Sequence, residues 1–207
     1  MLAGVMYERY RYENCAVVAL SDGGVLVAEQ VAAQLHCVLT MLVTENIDVP
    51  GESISFGAVS QAGNFTYNSE FSEGEISEYT SEFHGYLDDQ KRVAFNRINR
   101  LIGDGGLIDK ALLRDRVVIL VSDGLDSGAI ISVAIDFLKP IRIKKLIVAA
   151  PVATIPVVDL LHVASDELHI LDVKENYMGT DHYYNDNTLP SHEQTVAKIN
   201  QIVLNWR

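Results

Sequence analysis

The sequence predicts an α/β fold, a central parallel sheet flanked by helices, and three observations carry that reading. Short, solidly apolar runs alternate with longer stretches of helical period, as successive βα units around a parallel sheet require. The runs at Cys15–Leu20, Cys37–Val43 and Val117–Val121 are apolar without alternation, which suits strands covered on both faces. Polar turns containing glycine follow the first and third of them, at Ser21–Gly24 and Ser122–Gly128, and open helices.

Taken in order, CAVVAL is the first strand and the turn SDGG leads into a helix over Val25–Leu35, with Val27, Val31 and Leu35 on one face. CVLTMLV is a second strand, and SISFGAV (Ser53–Val59) is a third strand or a hairpin arm. The stretch Asn64–Gln90 is acidic, holds no Lys or Arg and is rich in Ser and Gly; it reads as an exposed excursion that turns helical near Ile76 and runs toward Leu101. Lys91, Arg92, Arg97 and Arg100 fall in its later turns, where cations complement the helix dipole, and Gly103–Gly106 is expected to end it. The second half is more regular. It gives a strand at Val117–Val121, a polar turn at Ser122–Gly128 and a helix at Ala129–Leu138 stopped by Pro140. A strand at Leu146–Ala150, a helix with Pro156 in its first turn and a strand at Glu167–Val173 follow. After a loop rich in Asp, Asn and Tyr comes a last helix. Ser191 and Gln194 form its capping box, and Val196, Ile199, Val203 and Trp206 supply its core face.

With 207 residues and 48% apolar content, the chain should bury about 70% of the surface its unfolded form exposes. One domain over residues 1–207 is the expectation, and neither disorder nor a membrane span fits the composition. The N-terminal stretch lacks the basic region, apolar run and cleavage site of a signal peptide. Cys15 and Cys37, both in apolar runs, read as buried reduced thiols, and the expected setting is the cytoplasm. A net charge of −12 argues against nucleic acid as the main partner, since neutralising phosphates needs a basic face. The six histidines show no metal-ligand spacing, and GDGG at Gly103–Gly106 lacks the context of a dinucleotide fingerprint. The run Lys91–Arg100 reads as a solvated helix face.

The turn Ser122–Gly128 carries the chemistry. Amides at the start of a helix, with the helix dipole behind them, form a place for a phosphate. Ser127 adds a hydroxyl donor, Gly124 and Gly128 let backbone approach closely, and Asp123 and Asp126 can hold a sugar hydroxyl or a water on Mg²⁺. Asp/Gly/Ser turns also serve simply as helix caps, and composition alone leaves both readings open.

The segment Val118–Gly128 resembles the phosphoribosyl-pyrophosphate (PRPP) loop of type I phosphoribosyltransferases: a hydrophobic strand, two acidic residues, three more residues, Thr or Ser, then Gly. VVALSDGGVLVAEQVA is similar to that family's first strand, pyrophosphate loop and helix. SFGAVSQAGN and HYYNDNTLPSHEQT resemble segments of one bacterial branch of it. The resemblance implies a Rossmann-like, phosphoribosyltransferase-type sheet, with a small C-terminal hood at about 174–190 and a flexible region at about 60–90. It implies PRPP or a nucleoside 5′-monophosphate as ligand, and Mg²⁺-dependent transfer of phosphoribose to or from a nucleobase. A homologue that binds a nucleotide or phosphosugar without turnover is the alternative. Ser122, Asp123, Gly124, Leu125, Asp126, Ser127 and Gly128 would hold the phosphoribosyl group, with Asp123 on the ribose and the metal. Ser21, Asp22, Gly23 and Gly24 would face pyrophosphate, Asp126 would exchange the proton, and Tyr183 and Tyr184 would stack on the base. A small phosphorylated sugar or nucleotide is thus the implied partner, with no nucleic acid or membrane, and a homodimer is implied as well.

The sequence departs from the family at two places. Ser122 stands where the first acidic residue of the pair is expected, and Asp22 stands where a basic residue is common in the resembling branch. A carboxylate about 4 Å from a pyrophosphate oxygen is repelled by on the order of 4 kcal/mol at an effective dielectric of about 20. That is roughly a thousandfold in affinity, unless Mg²⁺ bridges the charges or the side chain turns away.

Overall fold

The computed structural model describes residues 1–52, 54–102 and 108–205, with side chains as far as residue 201. The chain forms two compact units, one of Met1–Leu42, Leu107–Ser127 and Ile141–Arg207, the other of Val43–Gly106 and Gly128–Pro140.

The first unit is built on five parallel strands. They are β1 (Cys15–Ala19), β2 (Val38–Met41), β6 (Val117–Val121), β7 (Lys145–Thr154) and β8 (Glu167–Lys174), in the order β2-β1-β6-β7-β8. The two strands richest in valine and alanine lie near the centre: every residue of β1 and β6 is buried, and Cys15 pairs with Val117 through Ala19 with Val121. The edges are covered less completely, and β8 is only half-buried. Helix α1 (Leu2–Tyr10) buries Leu2, Met6 and Tyr10, spaced four apart, and packs on α2 (Asp22–Leu35). Helix α6 (Ile155–Ala164), with Pro156 in its first turn, packs on β7 and β8. Helix α7 (His192–Asn205) lies against β2. The Ser191–Gln194 capping box is present, and Val196 and Ile199 are buried on the expected face. The Val203 and Trp206 side chains lie outside the described residues.

The second unit holds an antiparallel sheet of β3 (Thr44–Asp48), β4 (Ser55–Ser60) and β5 (Phe65–Tyr67). The segment read as a third strand or hairpin arm is therefore the middle strand of a meander. Its Phe56 anchors an aromatic cluster with Phe65, Tyr67, Phe71 and Tyr79. The acidic excursion becomes α3 (Glu73–Glu82), starting three residues before Ile76 because Ser72 and Glu75 form a capping box, and then α4 (His84–Ile102). The proposed helix end at Gly103–Gly106 lies outside the described residues. Helix α5 (Ala129–Leu138) packs on β4 and β5.

Both cysteines are free and buried, and burial raises their thiols, Cys15 to about 11 and Cys37 to about 12. No described helix is long and apolar enough to cross a membrane.

At the amino ends of β7 and β8 the Tyr10 hydroxyl donates to Glu167, which also accepts from Lys145; His169 Nε2 lies 2.6 Å from the same hydroxyl. The Lys145 hydrogen bond, then that of Tyr10, holds the Glu167 carboxyl at about 2, and burial lowers the His169 imidazole. Both groups have folded values below their unfolded ones. Their stabilisation is therefore complete above those unfolded values, and it is lost as pH falls, first through His169 and then through Glu167. Glu167 is about 30% exposed, so solvent screening limits its share to on the order of 1–2 kcal/mol. Urea unfolding should show Glu167→Gln losing less stability than wild type between about pH 5 and pH 2, and an unchanged slope would contradict this account.

Candidate functional site

Strand β6 ends at Val121, and the next residues form a braced turn. The Ser122 hydroxyl donates to the Gly124 carbonyl at 2.7 Å, so this buried serine ties the turn together from within. Leu125 is pinned on both sides: its amide donates to the Val152 carbonyl and its carbonyl accepts from the Thr154 amide, each at 3.0 Å, a one-residue bridge onto the extended end of β7. Beyond that anchor the turn is open. Asp126 is exposed, Ser127 is half-buried, and helix α5 starts at Ala129. Among the described residues, no hydrogen bond takes up the amides of Asp126, Ser127 and Gly128. Gly128 is the N-cap of α5, and the two amides before it extend the row of donors for which an anion is a natural acceptor.

The Asp123 carboxylate turns toward α2. Its Oδ1 accepts the Ser21 hydroxyl at 2.6 Å, while the Ser21 Oγ accepts the Gly24 amide at 2.8 Å. Gly23 is required by this approach, because a Cβ there would lie 2.0 Å from Asp123 Oδ2. Gly124 is required by another: a Cβ would lie 2.4 Å from the Tyr177 hydroxyl and 2.7 Å from Thr180 Oγ1, which are themselves 2.7 Å apart. Tyr184 completes the arrangement by donating to the Asp123 carbonyl at 2.7 Å. Burial, reinforced by the Asp123 charge, lifts its hydroxyl to about 12, so it stays a donor at neutral pH.

Ser21–Gly24 is therefore not an open loop. Ser21 is the N-cap of α2, and Asp22, Gly23 and Gly24 are its first turn, so the helix starts three residues earlier than its apolar period indicates. The Asp22 carboxylate, favoured there by the helix dipole, meets His192 Nδ1 at 2.8 and 2.9 Å. His192 begins α7, and spacing offers no signal for the pair because the two residues are 170 positions apart.

The two tyrosines named from the sequence have different places. Tyr183 sits within the segment 174–190: its hydroxyl donates to the Asn176 carbonyl and accepts from the Met178 amide, its ring packs on Tyr177, and Lys174 lies over its face. Tyr184 lines a cavity of about 410 Å³ in the first unit, together with Gly23, Asp123, Leu26, Leu171 and Leu189.

The carboxylate nearest the turn's centre is that of Asp123, one oxygen of which faces Ser21. The neighbouring position holds Ser122 rather than a second carboxylate, and among the described residues no three His, Cys, Asp or Glu converge.

Asp123 thus faces the first βα turn and borders the cavity of the same unit. The profile of the phosphoribosyl transferase domain matches residues 2–156. The chain belongs to that family. Curated proteins from two strains of Mycobacterium tuberculosis, provisionally named phosphoribosyl transferases, are 25% identical to it over 190 residues. The match covers 89% of this chain and 41% of each relative, so the chain spans about two fifths of their length. Among solved structures, the Thermus thermophilus protein TT1426 superposes with a TM-score of 0.69 at 24% identity, over 99% of this chain and 95% of that one. That likeness is one of fold, and it agrees with the α/β architecture expected from the sequence.

Proposed function

We propose that this phosphoribosyl transferase domain binds a ribose 5′-phosphate group through Ser122–Gly128, and that its preferred ligand is a nucleoside 5′-monophosphate rather than PRPP. The observation that carries the reading is the set of amides at Asp126, Ser127 and Gly128 that no described residue takes up, directly after a turn that Leu125 anchors to β7. The phosphate takes those amides and the Ser127 hydroxyl. Asp123, already oriented by Ser21, accepts from a ribose hydroxyl. Asp22 supports the preference for a monophosphate. Its carboxylate sits on the first turn of α2, where the family's pyrophosphate would lie, and pairs with His192 instead.

Calorimetry should give a Kd for Ser127→Ala roughly tenfold weaker than wild type for AMP, the loss of one hydrogen bond to a charged group. An unchanged Kd would move the phosphate elsewhere.

Phosphoribosyl transfer is the second reading, favoured by the exposed Asp126 carboxylate, to which no described residue hydrogen-bonds. In that reading a ring nitrogen of the base bonds to the anomeric carbon, and pyrophosphate leaves with the electron pair of the broken C–O bond. Asp126 accepts the proton from the nitrogen. Mg²⁺ would arrive bound to PRPP, as part of the substrate. Release of pyrophosphate from Mg²⁺–PRPP in the presence of a nucleobase would favour transfer. Tight monophosphate binding without release would favour the binding role.

A further inference from the structure

Resting on the phosphoribosyl reading, we infer that the cavity beside Asp123 takes an uncharged nucleobase bearing an exocyclic amino group and excludes acidic heterocycles. The cavity adjoins the proposed ribose acceptor, because Asp123 forms part of its wall. Its volume of about 410 Å³ falls within the range of small-ligand pockets. Leu26 and Leu189 line it and are 37% and 50% exposed, so apolar surface there is left for an occupant to cover, and a planar ring edged by Val27 and Leu171 would cover it.

The polar groups decide which ring. Asp181 and Asp186 border the cavity with the side-chain amides of Gln30 and Asn187; among the described residues no Lys, Arg or His side chain lines it, and Met1 stands on its wall. One N–H of Asn187 Nδ2 is taken by the Asp181 carbonyl at 3.0 Å, and its side-chain oxygen remains as an acceptor. Asp186 accepts from the Thr188 amide at 2.9 Å, and the Thr188 side chain, then that amide, lower its carboxyl. The lining therefore offers mainly acceptors and negative charge. An amino group supplies two N–H donors to such a lining, whereas a ring carboxylate meets the like charge of Asp123, Asp181 and Asp186.

The test is equilibrium binding of five 5′-monophosphates to the intact chain: AMP, CMP, IMP, UMP and orotidine 5′-monophosphate. All five carry the same phosphoribose, so differences among them report on the base alone. The inference expects AMP to bind tighter than IMP and CMP tighter than UMP, with the orotidine compound weakest by at least about tenfold. Asp181→Asn/Asp186→Asn, at two exposed positions, should narrow the gap between AMP and the orotidine compound severalfold. Equal affinities across the panel, or a gap that the double variant leaves unchanged, would overturn the base preference and leave the phosphoribosyl reading standing. If none of the five binds, the phosphoribosyl reading fails instead, and the inference falls with it.

Discussion

Gly23→Ala should lower stability by on the order of 2 kcal/mol and weaken AMP binding by at least about tenfold, although the added methyl carries no charge. The new Cβ would stand 2.0 Å from Asp123 Oδ2, 2.7 Å from its Cγ and 3.3 Å from its Cβ. Such distances cannot be met by a small adjustment of a free chain end. Asp123 is short, and its other oxygen holds the Ser21 hydroxyl at 2.6 Å. The side chain must rotate away, which breaks a charge-assisted hydrogen bond and removes the ribose acceptor together. Thermal unfolding should fall by roughly 4–8 °C for a chain of this size. Asp123→Ala removes the atoms that clash, so adding Gly23→Ala to it should cost much less than the glycine change alone costs in wild type. Strict additivity of the two substitutions would mean that Gly23 and Asp123 do not touch.

The second large effect concerns Asp22. Asp22→Arg should raise affinity for PRPP far more than for AMP, with roughly a thousandfold as the ceiling if the carboxylate acts at about 4 Å through an effective dielectric near 20. The contact with His192 draws part of that charge aside, so the measured gain should fall below the ceiling. The substitution also places a cation in the first turn of α2, which costs stability by up to about 1 kcal/mol. The informative quantity is the ratio of PRPP to AMP affinity with Mg²⁺ present. A ratio that does not change would mean that pyrophosphate never approaches α2.

Much of the site-bearing half of the chain was legible in the sequence. The ends of β6 and α5 fall where the apolar run Val117–Val121, the polar turn and Pro140 place them. That agreement has a local cause, since a strand buried on both faces and a helix stopped by proline are written in adjacent residues. Helix α1 escaped notice because Met1 supplies no side-chain cap, although Leu2, Met6 and Tyr10 share a face. Strand β3 escaped because TENID is polar and buries only Ile47. The turn read at Ser21–Gly24 is the first turn of α2; two glycines suggest a loop, yet Gly23 is there to admit Asp123. The partners of the site residues were the least legible. His192 against Asp22 and Tyr184 against the Asp123 carbonyl join positions far apart in sequence, and no local period encodes such contacts.

The most direct test of the phosphate-binding role is a titration of the isotope-labelled chain with AMP, followed by the amide resonances of its backbone. The account predicts that the amides of Asp126, Ser127 and Gly128 move most and saturate together, and that Leu125, whose amide is already bonded to Val152, moves less. Saturable binding that leaves those three amides unmoved while others shift would contradict it.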